Sequence, residues 1–322
     1  MANKLTIGGV TLVGAIFALF YFFLSAPQSS GEIERFIVSQ GATQAESAAA
    51  AVDQGFVKNA SVFSLLLRLE NISVKAGAYR ITKNMNAFAV ASIITSGPYM
   101  KWVTVPEGLR KEEIANQLST LLGWDDATKT QFLNAYETLG GSDYREGVYF
   151  PDTYLLPKDE NGTQIAQRFI QHFNEKFAPY AAEAGKQNIK WTTALKIASL
   201  IQREAAGTSD MAVISGVIWN RLLQNMKLDI DATVEYARGD KGAGYWAPLR
   251  AGDTARFNSP YNTYLYKGLP PTPIANSGLD AIAAVLNPAS TTCLYYLHDP
   301  SGQIHCSDTY AEHEANVQKY LK

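Results

Sequence analysis

Between Thr192 and Ala206 the chain reads T-T-A-L-K-I-A-S-L-I-Q-R-E-A-A, a stretch that admits few folds. Its residues favour helix, with Thr192 or Thr193 as the cap and Gly207 just past the end. Ala194, Ile197, Ala198, Ile201 and Ala205 recur at i, i+3, i+4 spacing and form an apolar face that has to meet a core. Lys196, Ser199, Gln202 and Arg203 fall on the other face. Glu204 breaks this pattern, because it follows Ile197 by two turns and sets a carboxylate on or beside the apolar stripe. Desolvation there favours the protonated form and suits the group to hold a proton near neutral pH. Helix geometry alone leaves a second reading open: an ion pair with an arginine, or the edge of a fraying helix end.

The chain has 322 residues, 47% of them hydrophobic, enough for a sizeable core and about two domains by length. A net charge of -2 gives no reason to expect nucleic acid as a partner. Leu5 to Leu24 is uncharged throughout and long enough to span a bilayer as a helix. A cleaved signal peptide would have a shorter apolar region and a better small-x-small site than Ser25-Ala26-Pro27. The expectation is therefore an uncleaved, single-pass anchor in the cytoplasmic membrane. Lys4 before it and Glu32 and Glu34 after it orient the bulk of the chain outside. The two cysteines, Cys293 and Cys306, are compatible with one disulfide in an oxidising compartment. No CxxC or HExxH occurs, and His172, His298, His305 and His313 lack metal-ligand spacing on one helix, so neither a metal nor a cofactor is expected.

After a polar linker at 26–31, a strand, turn and helix recur three times. The strands are Glu34 to Val38, Ala78 to Thr82 and Lys101 to Val105, and Thr43-x-x-Glu46 is a capping box for the first helix. Gly140-Gly141 closes this region. Beyond it come an aromatic, proline-punctuated segment (Glu146 to Pro157) and an amphipathic helix from Gly162 to Tyr180. The helix with Glu204 follows, then helices over Met211 to Asn225 and within Asp229 to Tyr236. Residues 238–262 form the longest irregular stretch, of the kind usually functional or mobile. A helix over Leu279 to Leu286, a hairpin around Asp299 to Gly302 and a helix from Ala311 close the chain.

The ordered motifs A-S-L-I-Q-R-E-A, W-N-R-L, D-A-T-V, Y-N-T-Y, G-L-P-P-T-P-I-A-N, N-P-A, L-Y-Y-L and E-H resemble the MltG/YceG family of endolytic murein transglycosylases. K-A-G-A-Y-R, P-E-G-L-R and E-G-V-Y-F-P-D-T-Y upstream are similar to the family's N-terminal part. The resemblance implies an α+β protein with four parts: an N-terminal transmembrane helix (1–25), a linker (26–31), a small α+β region with a LysM-like module (32–140) and a mixed α+β catalytic domain (141–322). It implies cleavage of the MurNAc–GlcNAc β-1,4 bond in peptidoglycan strands, leaving 1,6-anhydroMurNAc ends, and a role near cell-wall synthases. The family's glutamate motif resembles A-S-I-V-E-K-E-T. Gln202 stands here in place of its first glutamate, leaving Glu204 as the catalytic acid. The family's C-terminal G-x-H-x-F becomes G-Q-I-H-C, with Ile304 and Cys306 in the His and Phe places and His305 available only through a register shift.

A lytic transglycosylase needs one carboxyl rather than the two of ordinary glycosidases. Asn220, Arg221, Asp231, Tyr261, Asn262 and Tyr264 are the family-matched candidates for substrate binding. All but Asn262, which stands beside a long polar loop as the ligand contact, have a plainer reading: Asn220 and Arg221 as a cap or ion pair, Asp231 as a helix cap, Tyr261 and Tyr264 as core. Asp229 or Asp231 across the cleft from Glu204 would restore a lysozyme-like hydrolase. A non-catalytic peptidoglycan-binding anchor is the alternative of another class.

Overall fold

The computed structural model describes residues 15–138 and 146–322. The protein is mixed α+β and divides into two compact units. The first comprises the described residues up to Val103 together with Leu121–Gly123 and Thr153–Glu160; the second comprises Thr104–Thr120, Trp124–Asp152 and Asn161–Lys322. The Gly140-Gly141 boundary expected from the sequence lies outside the described residues.

The first unit is built on a four-stranded sheet in the order β1 (Ile33–Val38), β2 (Gly77–Thr82), β3 (Met100–Thr104), β4 (Thr153–Pro157). β1 and β2 pair antiparallel with Phe36 opposite Tyr79, and alternation sends these rings and Ile81 into the core. α1 (Gln44–Asp53) starts at the expected capping box, in which the Thr43 hydroxyl accepts from Glu46 N–H and the Glu46 carboxylate accepts from Thr43 N–H. α2 (Ala60–Leu69), capped by Asn59, and α3 (Ala87–Ser96), capped by Asn86, add Phe63, Leu67, Val90 and Ile94 to the core.

The expected transmembrane helix is corrected here. Among the described residues no helix is long and apolar enough to cross a membrane. Among the described residues, helix covers 15–24. Its end instead belongs to the first unit: Leu24 is buried in that core and the Lys58 ammonium lies 4.2 Å from the centre of the Phe22 ring. Residues 5–14 of the apolar run lie outside the described residues.

The second unit contains α4 (Lys111–Leu122), α5 (Asp126–Thr138), α6 (Gly162–Lys186), α7 (Trp191–Glu204), α8 (Met211–Leu223), α9 (Asp231–Arg238), α10 (Asp253–Arg256) and α11 (Leu279–Leu286). The hairpin β5 (Tyr295–His298) and β6 (Ile304–Ser307) and the helix α12 (Tyr310–Tyr320) follow. α7 is the hub, packed on α6, α8, α9 and α11. Its burial is wider than the one face read from the sequence, since Leu195, Ser199 and Leu200 are also inside. Ser199 is tolerated because its hydroxyl donates to the Lys196 carbonyl and accepts from Ile274 N–H.

Both ends of α7 lie earlier in the chain than expected. It starts after Lys190 with no side-chain cap, and Ala205 is already extended (φ -70°, ψ 135°). The cause of the early stop lies in the following turn, where the buried Asp210 carboxylate accepts from the N–H groups of Ala206 and Gly207. Glu204 is therefore the last helical residue, held between a rigid helix and a clasped turn.

Candidate active site

Glu204 opens onto a cleft of about 600 Å³ in the second unit, lined also by Val217, Ile218, Arg221, Leu228, Asp229, Ile230, Asp231, Tyr264, Tyr295, Tyr296, Tyr310 and His313. The Tyr296 hydroxyl donates to Glu204 Oε2 at 2.7 Å. Two residues along β5, and so on the same face, His298 Nε2 donates to Asp210 Oδ2 at 2.6 Å. One short strand thus holds both the acid and the turn behind it.

Burial raises the pKa of Glu204, and the charge of Asp231 adds to this; the Tyr296 hydrogen bond, His298 and Arg203 pull the other way. Tyr296 is itself pushed well up by burial and by Glu204, so it remains a phenol and a donor. Arg203 is not paired with Glu204. Its guanidinium lies 3.9 Å from the centre of the Trp246 ring and its Nη1 donates to the Gly108 carbonyl. Glu235, half-buried nearby, is also raised, first by burial.

The short motifs fit together across this site. Thr233 of D-A-T-V and Thr263 of Y-N-T-Y share a buried 3.0 Å hydrogen bond, and Ile230 N–H donates to the Thr263 hydroxyl. That junction brings Asp231 and Tyr264 together, so that the Tyr264 hydroxyl donates to Asp231 Oδ1 at 2.6 Å. Asp231 is the first residue of α9 and makes no side-chain cap. Arg221, in the cleft wall, donates to the carbonyls of Leu228 and Leu294 at 2.6 Å each and fastens the turn leading to Asp231.

The other candidates lie elsewhere. Asn220 donates its amide to the carbonyls of Thr291 and Cys293 and lines a separate apolar cavity with Trp219 and Leu223. Asn262 is fully buried, with its amide on the carbonyls of Thr254 and Phe257, and it organises the long loop from within. Tyr261 packs on Tyr236 and shares a hydrogen bond with Thr272. Gln202, on the face opposite Glu204, accepts from Gly278 N–H.

Sequence reasoning does not find Tyr295, Tyr296 and Tyr310 and weighs His298 and His313 only as metal ligands; L-Y-Y-L and E-H are visible as motifs, but no spacing ties them to Glu204. His305 takes no part in the cleft. It bonds to Asp299 Oδ2 and stacks on Tyr320 at 3.7 Å. Ile304 pairs across the hairpin with His298, so an imidazole does stand beside the position where the family pattern has one, but on the neighbouring strand. Cys293 and Cys306 are disulfide-bonded and tie the start of this hairpin to its return strand. Among the described residues no cluster of His, Cys, Asp or Glu is arranged to hold a metal ion.

The YceG-like family model matches residues 36–319, and the chain belongs to that family. An endolytic murein transglycosylase of Streptococcus pneumoniae is 27% identical over 300 residues, 83% of this chain and 54% of its own length. One of Bacillus subtilis is 30% identical over 291 residues, 82% of this chain and 78% of its own. The chain thus spans about half the length of the pneumococcal relative. A crystal structure of a YceG-like protein from Listeria monocytogenes aligns with a TM-score of 0.59 at 27% identity, over 89% of this chain and 99% of that one.

Proposed function

We propose that this chain is an endolytic peptidoglycan transglycosylase with Glu204 as its general acid and base. The observation that carries the reading is a carboxyl whose pKa is raised by burial, hydrogen-bonded by one phenol, in a cleft lined by aliphatic, aromatic and polar side chains. The names of the relatives support the substrate class.

Protonated Glu204 gives its proton to the glycosidic oxygen as the C1–O bond of the MurNAc unit breaks and positive charge spreads over C1 and the ring oxygen. The resulting carboxylate takes the proton of the same sugar's C6 hydroxyl while O6 bonds to C1, leaving a 1,6-anhydro end and restoring the acid. The negative charge of Asp231, which already acts on Glu204, stabilises the oxocarbenium-like state. An extracytoplasmic site of action follows from the polymer and accords with the disulfide, and a cell-wall synthase is the partner this role implies.

A second reading rests on Asp229 and Asp231 lining the same cleft as Glu204: two carboxylates that would let water complete the reaction. Mass spectrometry of soluble products separates the two. Incubation of the full chain with peptidoglycan should release anhydro-ended fragments, lost by a factor of at least about a thousand in Glu204→Gln while binding is kept. Reducing ends would favour the hydrolase, and no fragments from wild type would leave the chain as a binding module.

A further inference from the structure

The reaction uses the acid end of the cleft and leaves an aromatic corner without a role. Tyr295, Tyr310 and His313 line the same cleft, with ring centres 5.8 Å (Tyr295–Tyr310), 5.6 Å (Tyr295–His313) and 6.3 Å (Tyr310–His313) apart. Tyr295 is occupied: the His313 imidazole stacks on it at 26° and the Arg221 guanidinium lies 5.0 Å from its centre. Tyr310 differs, since it lines the cleft yet is 58% exposed.

Its backbone is nevertheless rigid. Tyr310 is the first residue of α12, directly after a capping box in which Thr309 and Glu312 satisfy each other's backbone N–H groups. A ring carried on a backbone fixed in this way, and backed edge-on by a second ring, presents apolar area to a ligand. Pyranose rings carry a complementary surface, a face of C–H groups bordered by hydroxyls.

The cationic charge at the corner is also already paired. Burial, then Arg221, lowers the pKa of His313 against the opposing charge of Glu314, and its Nδ1 is buried without a hydrogen-bond partner. Arg221 is committed to the carbonyls of Leu228 and Leu294 and pairs with the Asp229 carboxylate at 3.4 Å. A neutral sugar ring fits these surroundings better than the charged groups of a stem peptide.

We propose that Tyr310, backed by Tyr295 and His313, is a stacking subsite for a pyranose ring of the glycan strand next to the bond that Glu204 cleaves. The subsite rests on the glycan-cleaving reading of the cleft and adds to it the contact that grips the strand beside the reacting sugar.

The test is calorimetric titration of a soluble β-1,4-linked N-acetylglucosamine oligomer into full-chain Glu204→Gln, alone and combined with Tyr310→Ala or Tyr310→Trp. Loss of one stacked ring should weaken Kd about tenfold in the alanine variant, and the larger indole should match or tighten wild-type binding. In otherwise wild-type protein, Tyr310→Ala should raise KM about tenfold with kcat within about twofold, the split expected of binding away from the reacting bond. Unchanged affinity in the alanine variant overturns the subsite. So does a tryptophan variant that binds more weakly than tyrosine, and this arm decides alone if the alanine variant does not fold. A wild type that binds the oligomer but releases no anhydro ends would end the transglycosylase reading, while the affinity series would still decide on Tyr310.

Discussion

At the scale of the residue, Glu204 is held between opposing influences that can be removed one at a time. Tyr296 donates to its carboxylate and lowers its pKa, whereas the charge of Asp231 raises it. The first chemical step needs the protonated acid, so activity falls as pH rises through that pKa. Tyr296→Phe removes a stabiliser of the anion and should move the alkaline limb of the pH–rate profile to higher pH. At the optimum the rate should drop about tenfold, the size expected from losing a hydrogen bond to a charged group. Asp231→Asn removes the repulsion and should move the same limb to lower pH, while the amide oxygen can still accept from Tyr264. Fragment release measured across pH with both variants is the check. Limbs that stay in place, or move in the same direction, would show that Glu204 is not the titrating acid.

At the scale of the element, the β5–β6 hairpin determines whether Glu204 has its partner. It carries Tyr296 to the acid and His298 to Asp210, and the Cys293–Cys306 bond closes its base with a separation of 13 residues. Closing a loop of that length is worth about 3 kcal/mol through restriction of the unfolded chain. Reduction, or the paired change Cys293→Ser and Cys306→Ser, should lower the unfolding midpoint accordingly. It should also lower kcat, because the strand that loosens holds the acid through Tyr296, and raise KM, because Tyr295 on the same strand lines the cleft. Equal stability with and without reductant would sink this reading. The hairpin itself was legible in the sequence from D-P-S-G between two short apolar runs, as were the capping box at Thr43 and the span Leu279–Leu286. Glu204 was legible because a carboxylate on an apolar stripe breaks a local period. Tyr296 was not, because it meets Glu204 from 92 residues away and no local pattern encodes that contact. Asn262 shows the converse: a polar residue in a long irregular stretch resembles a ligand contact, but the folded loop buries carbonyls that only such an amide can satisfy. In the apolar run at the N-terminus, hydrophobicity alone does not show that the described end, at Leu24, packs on the first unit's core.

At the scale of the whole molecule, the second unit is tied together at a buried carboxyl outside the cleft. Glu146 is 1% exposed; it accepts from Lys111 N–H at the start of α4 and from the Asn276 amide at 2.8 Å. Asn276 in turn donates to the Leu109 carbonyl and accepts from Tyr149 N–H, so three segments far apart in sequence share one polar knot. Gly147 beside it has φ +85°, and a Cβ there would come within 2.8 Å of Pro273, which leaves room for glycine only. Burial, followed by the neighbouring Glu112, pushes the Glu146 pKa from 4.5 up to about 8, against the pull of Lys111 and Arg110. A carboxyl raised by folding binds its proton more tightly in the native chain, so between those two values the native state holds more protons than the unfolded one. Its contribution is nil below the lower value. Stability then falls as pH climbs through the window and levels off above about 8. Glu146→Gln keeps an acceptor oxygen for Lys111 and cannot ionise. Relative to wild type it should gain stability steadily between pH 5 and pH 8, by on the order of 1 kcal/mol per pH unit at most. Urea unfolding of both proteins at each pH measures the difference directly. A gap that stays constant with pH would mean that the N–H donors around Glu146 keep it ionised throughout, and that the knot is held by charge rather than by a buried proton.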